Sequence, residues 1–352
     1  MKEILFWLAI KNIFGIGDVT FKKLLEEYGD IENIYKSVKN ESEKRRALEF
    51  AKSEYEEAEK LGIKFLTYND TQYPQQLRNI YSPPPVLYCL GNTELIGTEE
   101  ILSIVGTRNP TDYGRNICSE IVREISKFQI TTVSGLARGI DTIVHEETMK
   151  NGSRTVAVLG CGVNIIYPAS NRKLFNEIKD NGLIISEFPL NTKPEPGNFP
   201  KRNRIISGLA KGVVVVEASK KSGSLITAEF ALNQGKDLFA IPGNVYSYKS
   251  KGTNYLIKNG AYLTECANDV VEVLFPYKVN EESCENIQTE APVFDSPQLE
   301  DLYKIIREKP VNIDELVIKT GLSIPDITVL LSNLQLLGHI TEQTGKVYVA
   351  NR

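Results

Sequence analysis

The chain has 352 residues, with 41 Lys and Arg against 45 Asp and Glu for a formal charge of -4, and 41% hydrophobic residues. That length predicts two or three domains rather than one core, and no apolar run approaches the ~18 residues that span a bilayer. Five scattered cysteines with no Cys-x-x-Cys pair, and only two histidines, argue against a disulfide framework, a zinc centre and a histidine-based triad, and predict a reducing cytoplasm.

The start, "MKEILFWLAIKNIFGIG", holds an apolar patch bracketed tightly by Lys2, Glu3, Lys11 and Asn12, with no small-residue cleavage site; a signal peptide is not expected. Residues 1–65 read as a helical domain, with Phe21, Leu24 and Leu25 at helical spacing behind Gly15-Ile16-Gly17. That turn reads equally as a helix-hairpin-helix, whose glycines let N–H groups approach a phosphate, and as a plain helical connection. From residue 101 the pattern changes to short runs rich in Val and Ile: "ILSIV", "ITTVS", "RTVAVLG", "LIIS", "GVVVVEA" and "DLFAI". None alternates with polar residues, which is how strands buried on both faces read. Amphipathic stretches such as "GRNICSEIVREISKF" separate them. This alternation predicts an α/β domain over 66–276 with an extended, Rossmann-like parallel sheet, to which "IKFLTYND" and "PPPVLYCLGN" add strands. Residues 277–297, with Glu281, Glu282, Glu285, Glu290 and Asp295 against Lys278, read as a linker. Residues 298–352 then give three helices, the last opened by Ser323 with Asp326 three on, and a hairpin turning at Gly345: the order of a winged helix.

In an open parallel sheet, ligands sit beyond the carboxyl ends of the strands. The loops that follow the six runs are "GTRNPTDYG", "SGLARGID", "GCGVNIIYP", "EFPLNTKPEPGNFPKRNR", "ASKKSGSLITAE" and "IPGN". They place Arg108, Arg138, Lys201, Arg202, Arg204, Lys220 and Lys221 on one rim, several at helix starts that favour an anion. Residues 198–225 alone hold six cations against Glu217, a local +5 in a chain of net -4. Lys220 and Lys221, adjacent in sequence, read as solvated side chains. Arg202 and Arg204 lie two apart, so on a helix they diverge by about 200°; one faces the crevice with Arg108 while the other braces the loop or sheet. The ligand the rim suits bears phosphate. The first loop lacks Gly-x-Gly-x-x-Gly, and no Gly-x-x-x-x-Gly-Lys-Ser/Thr occurs, so neither a dinucleotide cofactor nor nucleotide hydrolysis is supported. His145 reads as packed or surface, and Asp141 and Glu229 as helix-start carboxylates in capping and packing roles.

Several of these segments in order, "VGTRNPTDYG", "SGLARGIDTIVHEE", "TVAVLGCGVNIIYPASNRKL", "NFPKRNRIISGLA", "VVVVEASKKSGSLITAEFALNQGKDLFAIPGN" and "GTNYLIKNGA", resemble the DprA/Smf family over residues 66–275. The helical start (helix-hairpin-helix or SAM-like) and winged-helix end match the usual family arrangement. The resemblance implies a non-enzymatic, cytoplasmic, homodimeric protein without a cofactor that binds single-stranded DNA and loads RecA recombinase during natural transformation, with no membrane partner. It implies DNA contacts from Gly106, Thr107 and Arg108, and from Phe199, Lys201, Arg202, Asn203 and Arg204. Arg138 and the Ser222-Gly223-Ser224 turn complete the expected set. An aromatic at 199 suits base stacking, worth roughly 1–3 kcal/mol per base. A rival reading, a nucleoside-monophosphate phosphoribohydrolase on the same fold, calls for Pro-Gly-Gly-x-Gly-Thr-x-x-Glu, which "PGNVYS" and "SGSLITAE" do not reproduce. A third, a small-ligand module, predicts tight mononucleotide binding without strand affinity. Residues 295–352 carry six Lys and Arg against eight Asp and Glu, and "SIPDITVLLSNLQLLG" has no cation at all. A winged helix reading duplex DNA needs a basic recognition helix, so protein contact or regulation is expected there.

Overall fold

The computed structural model describes residues 3–13, 17–278, 294, 296–343 and 346–350. Gly15, Ile16, Gly345 and all but a few residues of the 277–297 segment lie outside them. Residues 1–280 form one compact unit and 281–352 a second.

The first unit begins with four helices, α1 (Glu3–Asn12), α2 (Asp18–Tyr28), α3 (Ile31–Ser37) and α4 (Glu41–Lys60). Asp30 and Asn40 cap α3 and α4 by accepting from the N–H groups of Asn33 and Glu43, satisfying donors the first turn leaves open. The small residues Ala47, Ala51 and Ala58 on α4 let α1 approach closely, and Trp7 of α1 stacks on Phe21 of α2 at 5.3 Å. These helices share one apolar cluster with Tyr88, Ala157, Leu159 and Ile184 of the sheet.

Nine strands follow: β1 (Lys64–Thr67), β2 (Val86–Gly91), β3 (Ile101–Val105), β4 (Thr131–Ser134), β5 (Thr155–Leu159), β6 (Leu183–Ser186), β7 (Gly212–Val215), β8 (Asp237–Ala240) and β9 (Tyr262–Leu263). They form one sheet in the order β1-β2-β6-β5-β4-β3-β7-β8-β9. From β6 to β9 every pairing is parallel, and β1 and β2 add antiparallel to that edge. All five residues of β3 and of β5 are buried, as non-alternating apolar runs require when helices cover both faces. Between and after the strands lie α5 (Gln75–Arg78), α6 (Asp112–Lys127), α7 (Ile140–Lys150), α8 (Arg172–Asn181), α9 (Asn198–Leu209), α10 (Ser224–Asn233), α11 (Lys251–Lys258) and α12 (Asn268–Leu274). Side-chain alternation sorts them. Ile101, Val105, Val133, Val213 and Val215 pack on Ile205, Leu209 and Ala228 of α9 and α10; Leu102, Ile104 and Val214 pack on Cys118, Ile121, Val144 and Val270 of α6, α7 and α12. The sheet is thus doubly wound.

The second unit contains α13 (Pro297–Glu308), α14 (Ile313–Thr320) and α15 (Ile324–Leu336), with β10 (Val311–Asn312), β11 (Ile340–Gln343) and β12 (Val347–Ala350) in the order β10-β12-β11. Leu302, Ile306, Leu316, Ile327 and Leu334 fill its core. Ser323 caps α15, accepting from the Asp326 N–H at 3.4 Å. This is a winged helix. Among the described residues, no helix is long and apolar enough to cross a membrane.

Candidate nucleic-acid interface

The chain leaves β3 toward β4, β5 and β6, then returns through α9 to β7 on the other side of β3. A doubly wound sheet opens a crevice at such a reversal. Here it measures about 570 Å³ and is lined by Gly106, Thr107, Arg108, Phe199, Arg202, Asn203 and the Ser222–Ser224 turn among others. A second hollow of about 560 Å³ flanks the first, shares Arg108, Tyr167 and Phe199 with it, and takes in Arg138. The structure therefore brings ten of the twelve expected residues together. Lys201 and Arg204 line neither hollow.

Backbone ties build the crevice. Thr107 N–H donates to Glu217 O at 2.8 Å, and Ile140 N–H donates to Thr107 O at 3.1 Å. The loop before α7 reaches that position through Gly139, whose φ of +84° suits only glycine and where a Cβ would stand 2.4 Å from Thr107 O. Glu217, the one acid in the cationic count, is buried; its carboxylate accepts from Thr111 N and Oγ1 at 2.9 Å each and opens α6. It does not cancel the rim.

Phe199, in the first turn of α9, is the centrepiece. The guanidinium of Arg108 lies 5.6 Å from its centroid, that of Arg202 6.0 Å, and the Tyr167 ring 5.5 Å. Gly160 makes room for it, since a Cβ there would meet Phe199 Cδ1 at 2.8 Å. Arg108 and Arg138 are exposed. Arg202 is 4% exposed, and its guanidinium donates to Gly135 O at 2.9 Å, to Val158 O, and to Asn203 Oδ1 at 3.2 Å. Burial lowers its pKa to about 10, with Asp141 opposing the fall, so it stays charged at neutral pH. It is a buried cation closing the crevice floor, tied to the ends of β4 and β5.

Arg204 turns to the other side of α9, as the two-residue offset demands. It is 5% exposed and forms a fork with Glu187, 2.7 and 2.8 Å, and a third bond of 2.7 Å with Asp18 of α2. Lys201 joins from the surface, 3.6 Å from Asp18 and 3.5 Å from Glu187. Lys11 of α1 donates to Glu187 O, and burial lowers its pKa to about 8. Arg204 is thus held away from the crevice, because the buried Glu187 carboxylate just past the end of β6 demands a cation.

His145 and Asp141 have structural partners. His145 is fully buried, its Nδ1 2.7 Å from Thr155 Oγ1, and burial lowers its pKa to about 3. Asp141 is the carboxylate among the described lining residues; it accepts from Ala137 N–H at 3.3 Å, and burial pushes its pKa up. Glu229 is not at a helix start: α10 begins at Ser224, where the Ser222-Gly223 turn ends, and Glu229 is exposed five residues on. Lys220 and Lys221 are exposed. No group of three or more His, Cys, Asp or Glu that could hold a metal occurs among the described residues. Sequence reading missed Tyr167. Its signal was an aromatic before Pro168 in a strand-end loop, a place where ligands gather.

A doubly wound sheet whose reversal point holds arginines around an aromatic defines a Rossmann-like protein whose crevice has the chemistry to suit an anionic, planar ligand. Residues 64–275 match the family model described as DNA recombination-mediator protein A, and 288–346 match the DprA winged helix domain. The chain belongs to the DNA recombination-mediator protein A family, and its role is DNA processing as a recombination mediator. It is 34% identical to Protein Smf of Synechocystis over 98% of both chains, and 42% identical to DNA processing protein DprA of Bacillus subtilis over 60% of this chain and 72% of that one. Among solved structures, DprA of Streptococcus pneumoniae superposes with a TM-score of 0.67 at 31% identity, covering 77% of this chain and 97% of the other. DNA processing protein A of Helicobacter pylori, whose structure is described as revealing a single-stranded DNA binding mode, gives 0.56 at 33% identity, covering 61% and 96%.

Proposed function

We propose that this protein binds single-stranded DNA along the rim of its sheet, without catalysing a reaction on it, and hands the strand to RecA as a homodimer in the cytoplasm. The observation that carries this reading is Phe199, beside the Arg108 and Arg202 guanidinium groups at the switch point. An aromatic face accepts any base and a neighbouring exposed arginine accepts phosphate, the combination that sequence-tolerant strand binding uses. The single-strand binding described for the Helicobacter pylori relative supports it. RecA delivery and the homodimer rest on family likeness, and buried free thiols at Cys89, Cys118 and Cys161 suit a reducing compartment.

The test compares oligonucleotides of several lengths with mononucleotides, assays free-base release, and follows RecA filament nucleation on poly-dT with and without the protein. Binding that grows with length, no base release and faster nucleation support the proposal. Tight mononucleotide binding with base release would return the phosphoribohydrolase reading. Affinity for poly-dT is expected to fall with salt at a log–log slope of about -0.7 per phosphate contacted; a flat salt response would remove the electrostatic account. Deleting residues 298–352, whose unit is acidic on balance, is expected to change strand affinity less than about tenfold, ~1.4 kcal/mol. A larger loss would give the winged helix a direct role in holding the strand.

A further inference from the structure

We infer that a second nucleotide-binding subsite lies on the loop between β8 and α11, where Tyr246 and Tyr248 stack bases and Lys220, Lys221 and Lys251 hold phosphates. It rests on the proposed strand binding and extends the path of the strand beyond the Arg108–Phe199 crevice.

A large aromatic side chain left in water forgoes the gain of covering its apolar surface. Tyr246 is 91% exposed and Tyr248 62%, and Val245 beside them is exposed as well. The loop that holds them out is tied down rather than loose. Gly243 N–H donates to Asn254 Oδ1 at 3.1 Å, Asn254 Nδ2 donates back to Gly243 O at 2.9 Å, and Tyr246 N–H donates to Asn244 Oδ1 at 2.9 Å. A side chain at 243 has no room: a Cβ would stand 2.3 Å from Ser250 Oγ. A loop whose backbone is already ordered loses less freedom when a base stacks on its side chains.

Position and charge select a nucleic acid as the occupant. The loop follows the carboxyl end of β8, on the same rim as the crevice. It is stitched to the crevice loops directly: Lys249 Nζ donates to Asn109 O at 2.5 Å, next to Arg108, and Tyr113 Oη donates to Pro242 O at 2.7 Å. Gly252 N–H donates to Ala218 O at 2.7 Å, which fixes the Lys220-Lys221 turn against the start of α11. Residues 242–258 contain Lys249, Lys251 and Lys258 and no acid; residues 218–228 contain Lys220 and Lys221 and no acid. Both segments are cationic in a chain of net -4, with exposed Glu229 following the second. Exposed Glu265, near Tyr113, bounds the ledge on the β9 side. A polyanion with planar bases fits this ledge better than a neutral or basic protein surface.

The experiment uses the full chain carrying Tyr246→Ala and Tyr248→Ala together, with Tyr246→Phe/Tyr248→Phe as its partner. Both are measured against poly-dT of roughly 20 and roughly 5 nucleotides, and against an abasic strand of the longer length. The alanine pair is expected to lose about tenfold or more in affinity for the long strand, to keep its affinity for the short one, and to match the parent protein on the abasic strand. The phenylalanine pair is expected to bind as the parent does. Unchanged long-strand affinity, while Arg108→Ala still weakens both lengths, would overturn this subsite and leave the crevice reading intact. A parent protein that binds neither length would overturn both. If the alanine pair instead converts a dimer to a monomer by sedimentation and loses both lengths equally, the tyrosines join copies of the chain and the inference fails.

Discussion

Arg204→Ala is expected to cost about 3–5 kcal/mol of folding stability, the scale for removing one partner of a buried ion pair. The melting temperature should fall by roughly 10 °C. The reason is Glu187, 1% exposed and left with Lys201 at 3.5 Å as its nearest side-chain cation. Burial pushes the Glu187 carboxyl up, yet Arg204 holds it below the ordinary 4.5. A carboxylate with a depressed folded pKa contributes stability that is present above the unfolded value and lost as the pH falls through the folded one. The gap between parent and variant should therefore be widest at neutral pH and should narrow in acid below 4.5. Thermal melts of both proteins across that range check it. Strand affinity of the folded variant should change less than about threefold, well under 1.4 kcal/mol. A variant that melts like the parent and fails to bind DNA would move Arg204 from brace to ligand contact.

Arg108→Ala should show the reverse pattern. Arg108 is exposed and leans over Phe199 at 5.6 Å, so its removal leaves no buried charge alone, and stability should stay within about 0.5 kcal/mol. Single-strand affinity should fall by about 1.5–3 kcal/mol, the scale of a charge-assisted contact. If the guanidinium and the ring share one bound nucleotide, as proposed, adding Phe199→Ala should cost less than the sum of the two single changes. Strict additivity would mean that the two side chains touch different parts of the strand. Fluorescence anisotropy with labelled poly-dT, with melting as the control, measures both effects.

Much of the architecture was legible in the chain. Runs such as "ILSIV" and "GVVVVEA" carry no polar alternation, and only a sheet covered on both faces tolerates that; the six runs became β3 to β8. Ser323 before Asp326 marked the start of α15 by local chemistry alone. The crevice was legible too, because the segments that follow the carboxyl ends of the strands meet there: Gly106, Arg108 and Ser222 stand in loops and Phe199 in the first turn of α9.

What the sequence by itself determined is therefore periodic or local: which segments are strands and helices, where they start, and which loops crown the sheet. It also required Arg202 and Arg204 to point apart, since the helical repeat alone imposes that. Only the tertiary structure decided what each then meets. Arg202 found the carbonyls of Gly135 and Val158 at the ends of two strands, and Arg204 found Glu187 and Asp18, the latter 186 positions away in α2. The long-range packing of the N-terminal helices onto the sheet likewise follows from Trp7, Phe21, Tyr88 and Leu159 closing one apolar cluster. The cost of isolating a buried charge and the gain from covering apolar surface depend on neighbours distant in sequence, and those neighbours exist only in the folded chain.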